Sequence, residues 1–198
     1  MLNMVKQMLD KIEEELEEAY EKREKVLKER RDILPLCQEG VKHIHQNEFE
    51  KAEEKKKESE RIIKKCEEKL EKYPVLKDKA LGKSYQEYAE LCILKNYLEK
   101  RKLPELDVPP KYYLTGLGDA IGELKRHAMD KLGEGKINEA EDMEKELEKL
   151  YVKFRKFSYP NSVVPNLKRK QDVARKVLNE LHENIVSAKI REDKTKEK

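Results

Sequence analysis

The chain has 198 residues, enough for one well-buried core and short for two. Charged residues make up 44% and aromatics 6%, with no Trp, so apolar surface must be gathered into stripes, as on long amphipathic helices. A net charge of only +3 excludes a globally basic polyanion binder and confines any nucleic-acid contact to a local patch.

From residue 5 to about residue 44, Leu9, Ile12, Leu16, Ala19, Tyr20, Val26, Leu27, Ile33 and Leu34 recur mostly every three or four positions. That spacing predicts a long helix with one narrow apolar stripe, kinked or ended at Pro35, which lacks a backbone donor. Asn47 with Glu50 three residues on predicts the next helix start by a capping box, and the helix runs to about Leu70 with much of its surface exposed. Tyr73 and Pro74 read as a turn, and Ser84 with Glu87 as the capping box that opens a third long segment. Pro109 and Pro110 suit the first turn of the helix that follows, which ends near Gly133 to Gly135. A helix from about Ile137 carries Ala140, Met143, Leu147, Leu150, Tyr151, Phe154 and Phe157 as its stripe. The last runs from about Val164 to Ile190.

No strand pattern or internal repeat interrupts this series, so the expected fold is all-α, a single-domain antiparallel bundle of about seven helices. Residues 1–190 form that domain, and 191–198 read as a charged, frayed tail. Cys37, Cys66 and Cys92 form neither a CxxC pair nor a zinc spacing and read as reduced, partly buried thiols. No apolar run approaches the roughly 20 residues that span a bilayer, and no secretory leader opens the chain. A soluble, cytoplasmic protein without membrane contact is expected. Lys and Glu outnumber Gln and Asn, a bias shared with heat-adapted proteins.

Two acidic pairs stand out: Glu87 with Glu90 in SYQEYAELCILKNYL, and Asp119 with Glu123 in YYLTGLGDAIGELKR. Residues three or four apart share a helix face, so each pair can offer oxygen ligands to one hard cation, and two such helices facing each other would bring four carboxylates together. Glu87 and Glu90 lie in line with Leu91, Leu94 and Leu98, where burial costs several kcal/mol unless a cation or donors compensate. The helical wheel places Asp119 and Glu123 opposite the apolar face of Leu114, Leu117, Ile121, Leu124 and Ala128, which alone predicts a solvated face. Gly116 and Gly122 on that side argue for a close approach by another backbone or a ligand, because glycine inside a helix costs about 0.5–1 kcal/mol relative to alanine. The pair His43 and His45 points about 200° apart on a helix and is rejected as a metal clamp. Tyr112 and Tyr113 read as packing anchors before base-stacking groups.

Both acidic tracts resemble the translin family, especially its translin-associated factor X branch, with QEYVEA-like and DYLLGVADLTGEL-like segments in this order. RRDILPL from Arg30 and LKRKQDVARKVL from Leu167 resemble further family segments. The resemblance implies a helical subunit of a hollow homo-octamer of archaeal type that binds single-stranded RNA, and also single-stranded DNA, inside. It further implies an active branch that cleaves RNA with Mg²⁺, Mn²⁺ being a possible substitute. Glu87, Glu90, Asp119 and Glu123 fall on the acidic positions of that branch and are the expected catalytic and metal-binding residues. All four are present, whereas the inactive binding branch has an incomplete set. Gly118 replaces a residue that is commonly alanine in the family, and Lys111 with Tyr112 stands where many members read Asp-Tyr. For nucleic-acid grip, Arg30 and Arg31, with Lys168, Arg169 and Lys170, are the basic clusters inside family-like tracts. The alternatives are a non-catalytic RNA/DNA-binding oligomer whose carboxylates serve inter-helix salt bridges, and a charged helical protein-interaction scaffold.

Overall fold

The computed structural model describes residues 2–196. Among them the regular structure is all helical: α1 (Leu2–Glu29), a 3₁₀ turn (Arg30–Asp32), α2 (Ile33–His45), α3 (Phe49–Lys69), α4 (Pro74–Lys100), α5 (Pro110–Gly133), α6 (Ile137–Phe154) and α7 (Leu167–Lys196). The expected all-α bundle is therefore the observed fold. No helix is long and apolar enough to cross a membrane among the described residues.

The break in the first predicted helix falls one turn before Pro35, which occupies the third position of α2. There its missing donor costs nothing, because first-turn N–H groups have no intrahelical acceptor, while its ring excludes a helical carbonyl at Arg31. Neither predicted capping box forms. Asn47 takes a left-handed φ of 61° in the turn, and Glu48 precedes α3 without a side-chain cap. Ser84 does not open a helix: α4 starts ten residues earlier with Pro74 at its first position, and Ser84 is buried in its middle. The Tyr73-Pro74 pair, read as a turn, is a helix start, since proline's φ is preset for that position. Phe157 lies beyond the end of α6, and α7 continues past Ile190 through Lys196.

Two helices occupy the centre. α5 packs on α4, α6 and α7, and α4 packs on α5, α2 and α3. Leu81, Leu91, Ile93 and Leu94 of α4 and Ile121 and Leu124 of α5 are wholly buried. Burying each such side chain contributes about 1.5–3 kcal/mol. Tyr112 donates a hydrogen bond to the Asp78 carbonyl at 3.2 Å and stacks on Tyr85 at 5.6 Å, and Tyr113 donates to the Pro104 carbonyl at 2.9 Å. Both tyrosines are thus packing anchors. The three thiols are buried and free, and burial pushes Cys37 and Cys92 up to about 12 and Cys66 up to about 11.

The crossing of α4 and α5 depends on Gly116. A methyl group there would stand 2.7 Å from the Gln86 carbonyl oxygen and 2.8 Å from the Ala89 methyl, so the two backbones touch. At Gly122, by contrast, nothing lies within 4 Å. The expected close approach is real at the first glycine and absent at the second. Gly116→Ala should destabilise the fold by about 1–3 kcal/mol through overpacking. Gly122→Ala should be neutral or stabilising by up to about 1 kcal/mol. Urea unfolding of the two variants beside the parent checks the contrast.

Candidate functional site

The Gly116 contact sets the register of the acids. It lies against Gln86, Ala89 and the Glu90 amide on α4, and Asp119 follows Gly116 by one helical turn on α5. Gly118 faces the other way: a Cβ there would meet the Lys170 Cβ at 2.8 Å, which brings the start of α7 against the same stretch of α5. Three helices therefore meet around one group of charges. The wheel reading of a solvated face for Asp119 and Glu123 is corrected in part, because side chains of α2, α4 and α7 reach these two acids while Gly122 and Arg126 on the same side stay open. The side chains of the two acids are only 24% and 28% exposed.

Three of the four carboxylates are engaged. Gln86 Nε2 donates to Asp119 Oδ2 at 2.7 Å, and the Lys170 ammonium pairs with Asp119 Oδ1. Lys83 pairs with Glu87 one turn along α4. Glu123 Oε2 is 2.7 Å from His45 Nε2 at the end of α2, with Arg126 at 3.8 Å. Glu90 is the exception, with no ion pair among the described residues. Burial pushes its carboxyl up to about 8, helped by the negative charges of Asp119, Glu87 and Glu123 and opposed by Lys170. Glu123 moves the opposite way, held below its usual range chiefly by the His45 hydrogen bond.

The donor set matches a hard divalent cation in its chemistry: oxygen ligands from two facing helices, with a surplus of negative charge that local lysines leave partly unneutralised. The raised Glu90 carboxyl accords with this surplus, burial being the larger cause and the neighbouring negative charges the second. The side-chain arrangement is that of an ion-pair network, however, and no group of three His, Cys, Asp or Glu side chains is gathered closely enough to hold a metal ion among the described residues. A cation seated there would compete with Lys170, Lys83 and His45 for their carboxylates.

His45 is the residue that sequence reasoning missed. The rejection of His43 and His45 as a joint clamp stands, since His43 Nδ1 meets Glu48 at 2.6 Å while His45 turns inward to Glu123. Yet His45 belongs to the site. Its side chain is 9% exposed, and its Nδ1 is buried with no hydrogen-bond partner, 3.9 Å from Asp130 Oδ2. A contact between residues 78 positions apart leaves no trace in local spacing.

The basic clusters divide. Arg30 donates to the Ala80 carbonyl at 2.5 Å and ties the 3₁₀ turn to α4, while Arg31 is exposed. Lys170 points into the acidic group, whereas Lys168 and Arg169 are exposed, Lys168 pairing with Asp172 at 3.3 Å.

Glu90 gives the site a pH signature. Its folded pKa is above the unfolded value of 4.5, so the native state holds the extra proton between about pH 4.5 and about pH 8. Stability contributed by the site is full below that window and is lost as pH rises through it. Glu90→Gln should abolish this loss and leave the variant more stable than the parent by about 2–4 kcal/mol at pH 9 without divalent cations, with little difference at pH 5. Denaturant midpoints at the two pH values check it.

Residues 102–192 match the model of the translin family. An uncharacterized protein of Methanocaldococcus jannaschii is 33% identical over 170 residues, covering 83% of this chain and 75% of its own length. Among solved structures, AfC3PO in a duplex RNA complex superposes with a TM-score of 0.86 at 29% identity, covering 93% of this chain and 97% of that one. The crystal structure of AfC3PO gives 0.86 at 30% identity, covering 93% and 98%. Apo-NeC3PO gives 0.80 at 26%, covering 91% and 96%. With its acidic tracts, its helical order and these likenesses in accord, the chain belongs to the translin family.

Proposed function

We propose that this protein is the subunit of a homo-oligomeric, Mg²⁺-dependent endoribonuclease of the translin-associated factor X type. The observation that carries the reading is Glu90 beside the α4–α5 crossing, an acid with no ion pair among the described residues whose carboxyl is raised by burial and by the negative charges of Asp119, Glu87 and Glu123. RNA as the ligand is supported by the likeness to AfC3PO, a protein described in complex with duplex RNA. Single-stranded RNA is the proposed substrate, with single-stranded DNA as a further ligand, an octamer as the assembly and the cytoplasm as its place.

In this reading Glu90, Asp119, Glu123 and Glu87 hold the cation. Once bound, it supplies neutralisation of phosphate charge and a lowered pKa for the attacking water. The chain's other residues have separate tasks. Gln86 fixes one oxygen of Asp119, and His45 fixes one oxygen of Glu123, so the acids keep their orientation when substrate enters. Lys83 and Lys170, released from Glu87 and Asp119, stand at the site as phosphate partners. Arg31 and Lys168 add sequence-independent phosphate contacts from the exposed surface. Arg30, committed to the Ala80 carbonyl, holds the fold.

One observation favours a rival. The pairing of Asp119 with Lys170 and of Glu123 with His45 is what a non-catalytic RNA-binding oligomer would use to clamp its helices together. Labelled RNA, offered single-stranded and duplex, separates the readings. Cleavage should require Mg²⁺ or Mn²⁺, stop with EDTA, and fall in Glu123→Gln by more than the roughly 10–100-fold that losing a ligand's support costs. Binding should survive the substitution and weaken with salt by a log–log slope of about −0.7 per phosphate contact on a single strand. RNA binding without cleavage under any cation would establish the rival.

A further inference from the structure

The first half of α1 is exposed along the described residues 3–18. The buried residues among the described side chains of this helix are Ala19 and Val26. The helix rests on α3 and α4, and an isolated helix as short as this exposed half is marginal in water. Its sequence nevertheless carries an association seam. Val5, Leu9, Ile12 and Leu16 follow one another at spacings of four, three and four, and they are 56%, 60%, 44% and 65% exposed. Between Asp10 and Glu18 a single Lys stands among six acids. Asp10, Glu13, Glu14 and Glu17 line one side of the helix with no ion-pair partner among the described residues.

The corner where α6 hands over to α7 has the inverse character. Eight Lys and Arg residues lie between Lys153 and Lys176, against one acid, Asp172. A shallow groove there is lined by Asn161 and Asn166 of the connector and by Lys168, Arg169, Asp172, Val173 and Lys176 of α7, with Lys168 and Asp172 paired to each other at 3.3 Å. Val163 and Val173 are half exposed, at 51% and 49%. Arg169 and Lys176 have no ion-pair partner among the described residues.

We propose that the first half of α1 docks in this groove on a second copy of the chain, the Leu9–Ile12–Leu16 seam against Val173 and Val163 and the Glu13–Glu17 side against Arg169 and Lys176. The inference rests on the homo-oligomer reading above and names the surface that builds it. Unpaired acids beside an apolar stripe on one element match unpaired bases beside apolar side chains on another. Two α1 helices do not satisfy each other, since overlapping their exposed halves antiparallel would set one acidic run against the other. The contact is therefore head-to-tail, and its repetition leads to a closed ring when the rotation closes. It also gives Arg169 a subunit rather than an RNA as its partner.

Light scattering after size exclusion, at low ionic strength where the charge contribution is largest, tests this on four proteins: the parent, the α1 variant Glu13→Lys/Glu14→Lys/Glu17→Lys, the α7 variant Arg169→Glu/Lys176→Glu, and the chain carrying all five changes. All five positions are exposed, and circular dichroism checks that each variant remains helical. The parent should run as an oligomer, each partial variant should fall to a smaller species, and the five-fold variant should regain assembly. A monomeric parent would overturn both the oligomer reading and this interface. An assembly indifferent to either set of changes, or one lost without recovery in the five-fold variant, would overturn the interface alone. Loss of RNA binding in the α7 variant with its mass unchanged would also overturn it, and would make the groove an RNA surface. RNA cleavage, measured separately, bears on the nuclease reading and not on this contact.

Discussion

The contact of Gly116 with the backbone of α4 is the constraint on which the rest depends. Helix axes commonly pack 8–10 Å apart because side chains separate them. Removing one side chain lets α5 settle against the Gln86–Glu90 turn, and Asp119 then comes within hydrogen-bond reach of Gln86. Gly118 repeats the device toward α7 and draws Lys170 to Asp119. An alanine at either position would push a neighbouring helix outward, and Glu90 would no longer share its surroundings with Asp119 and Glu123. The fold positions the site through two missing methyl groups more than through any single strong interaction.

The charge distribution at that crossing is unbalanced by construction. Glu87, Asp119 and Glu123 are engaged by Lys83, Lys170 and His45, whereas Glu90 is left without an ion pair among the described residues and is raised to about 8, first by burial and then by the negative charges around it. A structural salt-bridge cluster has no use for an unpaired acid at its centre, since leaving one costs free energy without adding a bond. A site that receives a cation has such a use. This asymmetry separates the proposed centre from the many exposed ion pairs elsewhere on the chain, such as Lys64–Glu60 or Lys136–Glu134, which contribute little individually.

Much of this was legible in the sequence, for identifiable reasons. Helix identity followed from the period of the apolar residues, and the Pro110 start and the Gly133–Gly135 end of α5 followed from backbone chemistry at those residues. The acidic pairs were visible because residues three and four apart share a face. The start of α4 was misplaced because Ser84 and Glu87 imitate a capping box, while Pro74 at a first helical position imitates a turn. The partial burial of Asp119 and Glu123 was beyond a helical wheel, which treats one helix alone and cannot register that side chains of α2 and α7 reach its polar face. His45 stayed hidden for the same reason: its partner is supplied by tertiary packing. The glycines were the one local clue to that packing, and they served at Gly116 but misled at Gly122.

Calorimetric titration of the RNA-free protein with Mn²⁺ reads out whether the acids at the α4–α5 crossing take up a divalent cation. Performed at pH 7 in buffers of different ionisation enthalpy, it counts the protons released on binding. Saturable binding that expels the Glu90 proton is expected, with release fading above pH 8 and lost in Glu90→Gln. Absence of binding at millimolar Mn²⁺, or binding with no proton release at pH 7, would contradict a cation site at this crossing.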